Sequence, residues 1–188
     1  MLQVHEERDK EKGKRMIITV GGPIGSGKTT VAQVLAKRFN LRHVSAGEVF
    51  RQMAKERGMN LGEFSRLAEE DHRLDREVDR RQIEMAKSGD AIVDGRLSGW
   101  MIDADLKIWL KAPLEVRAKR VAEREGKDFE KALKETKERE KSESKRYKEI
   151  YSINIEDLSP YDVILNTHLW DAEGVIEIIE KIISSLAR

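Results

Sequence analysis

Gly22, Gly27, Lys28 and Thr29 stand at the fixed positions of a phosphate-binding loop, in the stretch Gly21-Gly22-Pro23-Ile24-Gly25-Ser26-Gly27-Lys28-Thr29-Thr30. Each residue type has a chemical reason to be there. Gly22, Gly25 and Gly27 permit backbone torsions that a side chain would oppose, so successive N–H groups can converge on one phosphate. Lys28 is placed to reach the terminal phosphates of a nucleoside triphosphate, and the Thr29 hydroxyl can ligate Mg2+. A lone glycine turn would carry little weight. Here an apolar run, Met16–Val20, precedes the loop, and an amphipathic helix from Lys28 to Phe39 is predicted to follow it. That helix aims its positive end at the same anion. Strand, loop and helix together imply a site for a nucleoside triphosphate.

Arginines supply the second signal. Arg51 falls on the helix predicted after the second strand, and Arg96 follows the third strand in Asp94-Gly95-Arg96. Arg117, Arg120 and Arg124 share a helical spacing, as do Arg139, Glu143 and Arg146 on the next helix. Transfer of a phosphoryl group between two anions needs such groups, because donor and acceptor charge must both be offset. Arg51, Arg96, Arg120, Arg124, Arg139 and Arg146 are the candidates. Arg117 has no acidic neighbour three or four positions away and reads as a solvated head over a packed stem. Arg120 has an alternative partner in Glu123. Asp94 is expected to hold Mg2+ through water, with a turn-capping role as the competing reading. Asp75 and Asp79 share a helical face. Asp75 ranks higher for contact with an acceptor, since Arg76 offers Asp79 a salt bridge. The four histidines show no metal-ligand spacing.

These residues need a scaffold that gathers strand ends. Short strands are predicted at Leu41–Val44, Ala91–Val93, Ile108–Leu110 and Val163–Leu165, each separated from the next by helix. Helices are expected over Gly47–Lys55, 72–87 and Phe129 to about Ile150. A further short helix is capped by Asn60, another begins with Pro113 in its first turn, and the last is capped by Asp171. Five strands alternating with helices indicate an α/β protein, a five-stranded parallel sheet with helices on both faces. Ligands of such sheets lie at the carboxyl ends of the strands. The all-helical excursion at about 47–87 is too small for an independent core and suits a hinged cover.

Composition narrows the classes further. In 188 residues, 36 basic side chains nearly cancel 35 acidic ones, so charge gives no argument for nucleic acid or an anionic membrane. There is no cysteine, which excludes disulfides and thiolate zinc sites. No run has the length of a membrane span and no signal-peptide core is present, so a cytoplasmic location is expected. Residues 1–15 are almost wholly polar and read as a disordered tail or an extension upstream of Met16, with His5 an exposed bystander.

GGPIGSGKT, HVSAGEVFR, IVDGRLSGWM, ADLKIWLKAPLEVRAKRVAERE, the charged ERE-K-SESKRY stretch and YDVILNT together resemble the nucleoside monophosphate kinases. The closest resemblance is to the compact archaeal type of cytidylate kinase, over Met16 to about Ala187. The resemblance implies a P-loop fold that transfers phosphate from MgATP to CMP or dCMP; separately, the protein is expected to be active alone as a monomer. It implies a monophosphate-binding region over 47–87 and a short lid at about 120–130. Arg51 and Arg96 match arginines that grip the acceptor phosphate, with Ser45, Asp75 and Gly99 in the same pocket. Arg139 and Arg146 match arginines facing the phosphates at the junction, Glu143 matches a residue near the pentose, and Asn166 and Thr167 fall where adenine is lined. Leu97 and Ala46 replace residues that bacterial relatives use around cytosine, so base recognition is left unassigned. Kinases of AMP, UMP or a small metabolite, a non-enzymatic ATP switch and a nucleic-acid-stimulated ATPase are the rival readings.

Overall fold

The computed structural model describes residues 15–186, apart from the side chains of Leu61 and Ser65 and the surroundings of Gly62. Residues 1–14 of the predicted tail, including His5, lie outside the described residues. Five strands form one parallel sheet: β1 Ile17–Gly21, β2 Arg42–Ser45, β3 Ala91–Asp94, β4 Leu106–Lys111 and β5 Val163–Asn166, in the order β2-β3-β1-β4-β5. Among the described residues eight helices connect or follow them: α1 Lys28–Arg38, α2 Ala46–Glu56, α3 Leu61–Glu70, α4 His72–Lys87, α5 Ser98–Met101, α6 Leu114–Glu125, α7 Phe129–Tyr151 and α8 Ala172–Ser184. The predicted sheet and its helices are therefore present, with strand ends shifted by one or two residues. The four-residue α5 is additional. Pro113 caps α6 from outside the helix instead of occupying its first turn.

Alternation along β1 divides the core. Ile18 and Val20 face α1 and α8, where Val31, Leu35, Ile176, Ile179 and Ile183 close one layer. Ile17 faces the other layer, with Val44, Val93, Ala86 and Ile102. Both faces are buried, as a parallel sheet requires.

The excursion between β2 and β3 comprises α2, α3 and α4. Contrary to the expectation from its size, it encloses its own apolar cluster of Val49, Met53, Ala54, Phe64, Ala68, Leu74 and Val78. Three amphipathic helices suffice because Phe64 is fully buried between them, its ring 4.7 Å from that of Phe50. Asn60 starts α3 with a complete capping box: its side chain accepts from Glu63 N and Glu63 accepts from Asn60 N, both at 2.9 Å. Asp128 and Asp171 cap α7 and α8 by accepting from Lys131 N at 3.1 Å and Gly174 N at 2.8 Å, without the reciprocal bond. Gly126, in the left-handed region, ends α6 and turns the chain into α7.

Candidate active site

The sheet register sets the site. Val20 and Ser45 both lie opposite Asp94, and Gly21 lies opposite Trp109, so the functional segments leave the sheet at one edge. The phosphate loop spans the gap between β1 and α1. Gly22 and Gly25 have φ of 152° and 78°, and neither has room for a side chain. A Cβ on Gly22 would lie 2.5 Å from Leu110 O, and one on Gly25 the same distance from Arg117 O. Ile24 anchors the loop between α6 and α7 among Val121, Ala122 and Ala132. Ser26 is buried, Thr30 is exposed, and Pro23 O accepts from Ser26 N at 3.2 Å and from Lys28 Nζ at 3.4 Å.

Lys28 is enclosed by charged groups from β3, the turn after it and α7. Its ammonium is pushed down to about 8, first by burial and then by the Arg96 guanidinium, against the opposing pull of Asp94 and Glu143. A phosphate placed there would relieve both penalties. Asp94 is almost fully buried and accepts from the Thr29 hydroxyl through Oδ2. Its Oδ1 lies 3.3 Å from His43 Nε2, with no hydrogen bond between them. Burial pushes the Asp94 carboxyl up, but His43 and the neighbouring hydroxyls hold it below the usual range. His43 is raised in turn, chiefly by Asp94. Gln82 of α4 donates to Asp94 O at 2.8 Å and fixes the strand end.

This donor set can be tested for Mg2+. Among the described residues no group of three or more His, Cys, Asp or Glu could form a cage. A hydroxyl beside a buried carboxylate with one oxygen lacking a hydrogen bond does fit Mg2+, which takes its remaining ligands from phosphate and water.

Arg96 is a mostly buried arginine of the cleft, its side chain 11 % exposed. Its Nε donates to Glu143 Oε2 at 2.6 Å, and its Nη2 lies 3.9 Å from Glu140. Glu143 also sits 3.9 Å from the mostly exposed Arg139. Burial alone would raise Glu143, yet Arg96 and Arg139 keep it below the usual range. The structure thus brings Lys28, Asp94, Arg96, Arg139 and Glu143 into one charged cluster.

The remaining candidates take other positions. Arg51 is exposed on α2 and makes no hydrogen bond or ion pair among the described residues. Ser45 is buried at the end of β2 and occupies the N-cap position of α2 without a side-chain capping bond. Arg146 donates to Asp75 at 2.9 Å and to Ser142 at 2.8 Å, joining α7 to the cover. Asp79 pairs with the Tyr151 hydroxyl at 2.7 Å, and not with Arg76 as its spacing suggested. Arg124 is exposed beside Glu125. Gly99 lies under the Tyr161 ring, where a Cβ would come within 2.3 Å of a ring carbon.

Arg120 and Thr167 brace the loop. Arg120 donates to Gly25 O, to the Thr167 hydroxyl and to Thr167 O, at 3.3, 2.9 and 2.8 Å, and makes no pair with Glu123. The Thr167 hydroxyl donates to Ser26 O at 3.0 Å, while Asn166 accepts from His168 N. Arg117 corrects the expectation of a solvated head: it is buried and bonded to Ile24 O, Ala112 O and Glu140. His43, Gln82, Arg117 and Glu140 had no signal at helical spacing, because their partners lie on other elements.

The site and fold define a P-loop phosphotransferase of the nucleoside monophosphate kinase class. A family model described as the cytidylate kinase-like family matches residues 17–169, and the chain belongs to that family. A cytidylate kinase of Methanocaldococcus jannaschii is 53 % identical over 92 % of this chain and 100 % of its own. One from Pyrococcus horikoshii is also 53 % identical, over 92 % of this chain and 90 % of its own. Among solved structures, an uncharacterised protein of Eubacterium ventriosum has a TM-score of 0.68 at 23 % identity, covering 92 % of this chain and 100 % of its own. A shikimate kinase of Bacteroides thetaiotaomicron has 0.58 at 16 %, covering 91 % and 99 %. These two structures speak for the fold alone.

Proposed function

We propose that the protein transfers the γ-phosphoryl group of ATP to CMP or dCMP, giving the nucleoside diphosphate and ADP. The observation that carries this reading is the junction of two phosphate-binding systems. Lys28 and the loop address the donor, and buried Arg96 stands beside Lys28 where an acceptor phosphate would enter. Family membership and the archaeal cytidylate kinases at 49–53 % identity support CMP as the acceptor.

In this reading the acceptor phosphate oxygen attacks the γ-phosphorus in line, and its own negative charge makes a strong protein base unnecessary. Gly21 to Thr30 hold the donor phosphates. Arg51 and Arg96 orient the acceptor, with Ser45, Asp75, Gly99 and Glu143 lining its pocket. Lys28, Arg120, Arg124, Arg139 and Arg146 supply positive charge around the transferring group or reach it when the lid and cover close. Asn166 and Thr167 border the adenine. Thr29 would hold Mg2+ directly and Asp94 through water. The ion would offset phosphate charge. Closure of the cover over 47–87 and of the lid at about 120–130 would exclude water and suppress hydrolysis. ATP and its acceptor would be met in the cytoplasm, and we expect the monomer to be active.

Initial rates over a panel of monophosphates with MgATP decide the acceptor. We expect kcat/KM for CMP to exceed that for AMP by about tenfold or more, a difference of about 1.4 kcal/mol in transition-state binding. Chelation of Mg2+ should abolish transfer. AMP or UMP as the best acceptor would overturn the assignment to CMP.

A further inference from the structure

Three successive carbonyls of the phosphate loop are held from behind. Ile24 O accepts from Arg117 Nη1 at 3.0 Å, Gly25 O from Arg120 at 3.3 Å, and Ser26 O from Thr167 at 3.0 Å. A trans peptide is planar, with C=O and N–H opposed. Each held carbonyl therefore turns the following N–H the other way. The N–H of Ser26 is used by Pro23 O, but those of Gly25 and Gly27 donate to nothing among the described residues. They are left to face an anion.

Arg117 is the more deeply set of the two arginine braces. Its side chain is 8 % exposed, its Nε donates to Ala112 O at 2.8 Å, and both terminal nitrogens engage Glu140 of α7. The backbone of Gly25 rests directly on that of Arg117. Glu140 has a second neighbour, since Arg96 Nη2 is 3.9 Å from the same oxygen that Arg117 binds. Glu140 thus stands between the brace of the donor loop and the arginine assigned to the acceptor phosphate.

We propose that Arg117 and Glu140 are a positioning pair that sets the Ile24–Gly25 peptide for phosphate binding and couples the donor loop to Arg96. Neither touches the reacting atoms. A dianionic acceptor phosphate draws Arg96 from its glutamates, and the charge of Glu140 then falls wholly to Arg117, firming the brace. Each nucleotide strengthens the binding of the other, and linkage makes the effect reciprocal. The coupling half of this proposal rests on the reading of Arg96 as an acceptor group, whereas the brace does not.

Arg117→Lys keeps the charge but loses the planar fork. Glu140→Gln keeps the shape and an acceptor for Arg117 but loses the charge. For the wild type and both variants, the affinity for MgATP is measured by calorimetry. It is measured again for a non-transferable ATP analogue with and without CMP, beside the unfolding temperature. Arg117→Lys should weaken MgATP by about tenfold, which is about 1.4 kcal/mol. Glu140→Gln should bind MgATP within about threefold of wild type and lose the mutual enhancement between analogue and CMP. Folded variants with wild-type MgATP affinity and enhancement, altered only in unfolding temperature, would show a purely structural pair and overturn the proposal. Absence of enhancement in the wild type would overturn the coupling half. Should Arg117→Lys fail to fold, Arg117→Gln, which keeps a donor for Ile24 O, tests the brace by the same loss of MgATP affinity. A wild type that binds MgATP but does not phosphorylate CMP would sink the proposed acceptor while leaving the brace to be judged by MgATP affinity alone.

Discussion

Lys28 and Arg96 are neighbours in one charged cluster, yet they are assigned to different nucleotides, and substitution can separate them. Lys28→Met removes the ammonium while keeping an unbranched chain. Turnover should fall by orders of magnitude, because that interaction strengthens as charge moves onto the leaving phosphate. Arg96→Met should instead raise the KM for CMP strongly and leave ATP affinity, measured without acceptor, near wild type. Some loss of kcat will accompany it, since a loosely held acceptor is poorly aligned. The pairing of Arg96 with Glu143 makes this a demanding test, because a buried carboxylate left without its partner is destabilising. Arg96→Met/Glu143→Gln removes both charges and serves as the control. Equal losses of ATP and CMP affinity in that folded double variant would take Arg96 out of the acceptor site. The sequence was enough to single out Lys28, Thr29, Asp94 and Arg96 as candidates, because the phosphate-loop pattern names the first two and the other two stand at the end of β3 and just beyond it. It failed for Arg117, whose partner Glu140 lies 23 residues away across the lid turn. Helical spacing reports only neighbours on the same helix, and Arg117 has none.

Among the elements, α4 and α7 form the least expected contact. Three polar pairs run along it: His72 with Glu149 at 3.8 Å, Asp75 with Arg146, and Asp79 with Tyr151. The amphipathic periods and caps of both helices were legible, but a pairing across 71 or 72 residues is fixed only when the sheet brings the helices together. Asp79 gives this contact a dependence on pH. Burial pushes its carboxyl up to about 6 from an ordinary 3.8, with Asp75 adding to the rise and the Tyr151 hydroxyl opposing it. Tyr151 itself is raised, and burial is the first cause. Between pH 3.8 and about 6 the folded protein holds a proton at Asp79 that the unfolded chain has released. This group therefore favours folding at low pH, and its contribution declines as pH rises through that window. Asp79→Asn retains an acceptor for Tyr151 and removes the buried charge. At pH 7.5 the variant should be more stable than wild type by about 1 kcal/mol, or roughly 2–4 °C in Tm, with the difference vanishing towards pH 4. Thermal melts of both proteins across that range check it, and a difference independent of pH would sink the assignment.

At the scale of the whole molecule, the apolar interior is divided. The sheet layers share their residues with α1, α8 and the base of α4, whereas the α2–α4 cover closes around Phe64 with its own cluster. A body with a separate core can open or tilt without exposing the sheet, which is what a hinged cover requires. Apart from the base of α4, where Ile83 and Ala86 pack against the sheet, its ties to the rest of the chain are polar. Asp75–Arg146 and Asp79–Tyr151 link it to α7, and Gln82 links it to the end of β3. The two contacts to α7 are only partly buried, and polar contacts at such surfaces have small net energies and can be exchanged for contacts to a ligand. Amide hydrogen exchange should therefore resolve two classes in the free protein. The amides of β1, β3 and β4 will exchange only through global unfolding, while those of α2, α3 and α4 will share a faster, collective opening. MgATP alone should leave that opening nearly unchanged, because the donor loop lies outside the cover. CMP should slow exchange across all three helices together, and a linked cytidine–adenosine polyphosphate should slow it further. A single exchange class for cover and sheet would show one cooperative unit and refute hinged closure. Protection of the cover by MgATP alone, with no effect of CMP, would place the donor under these helices and exchange the roles of the two phosphate sites.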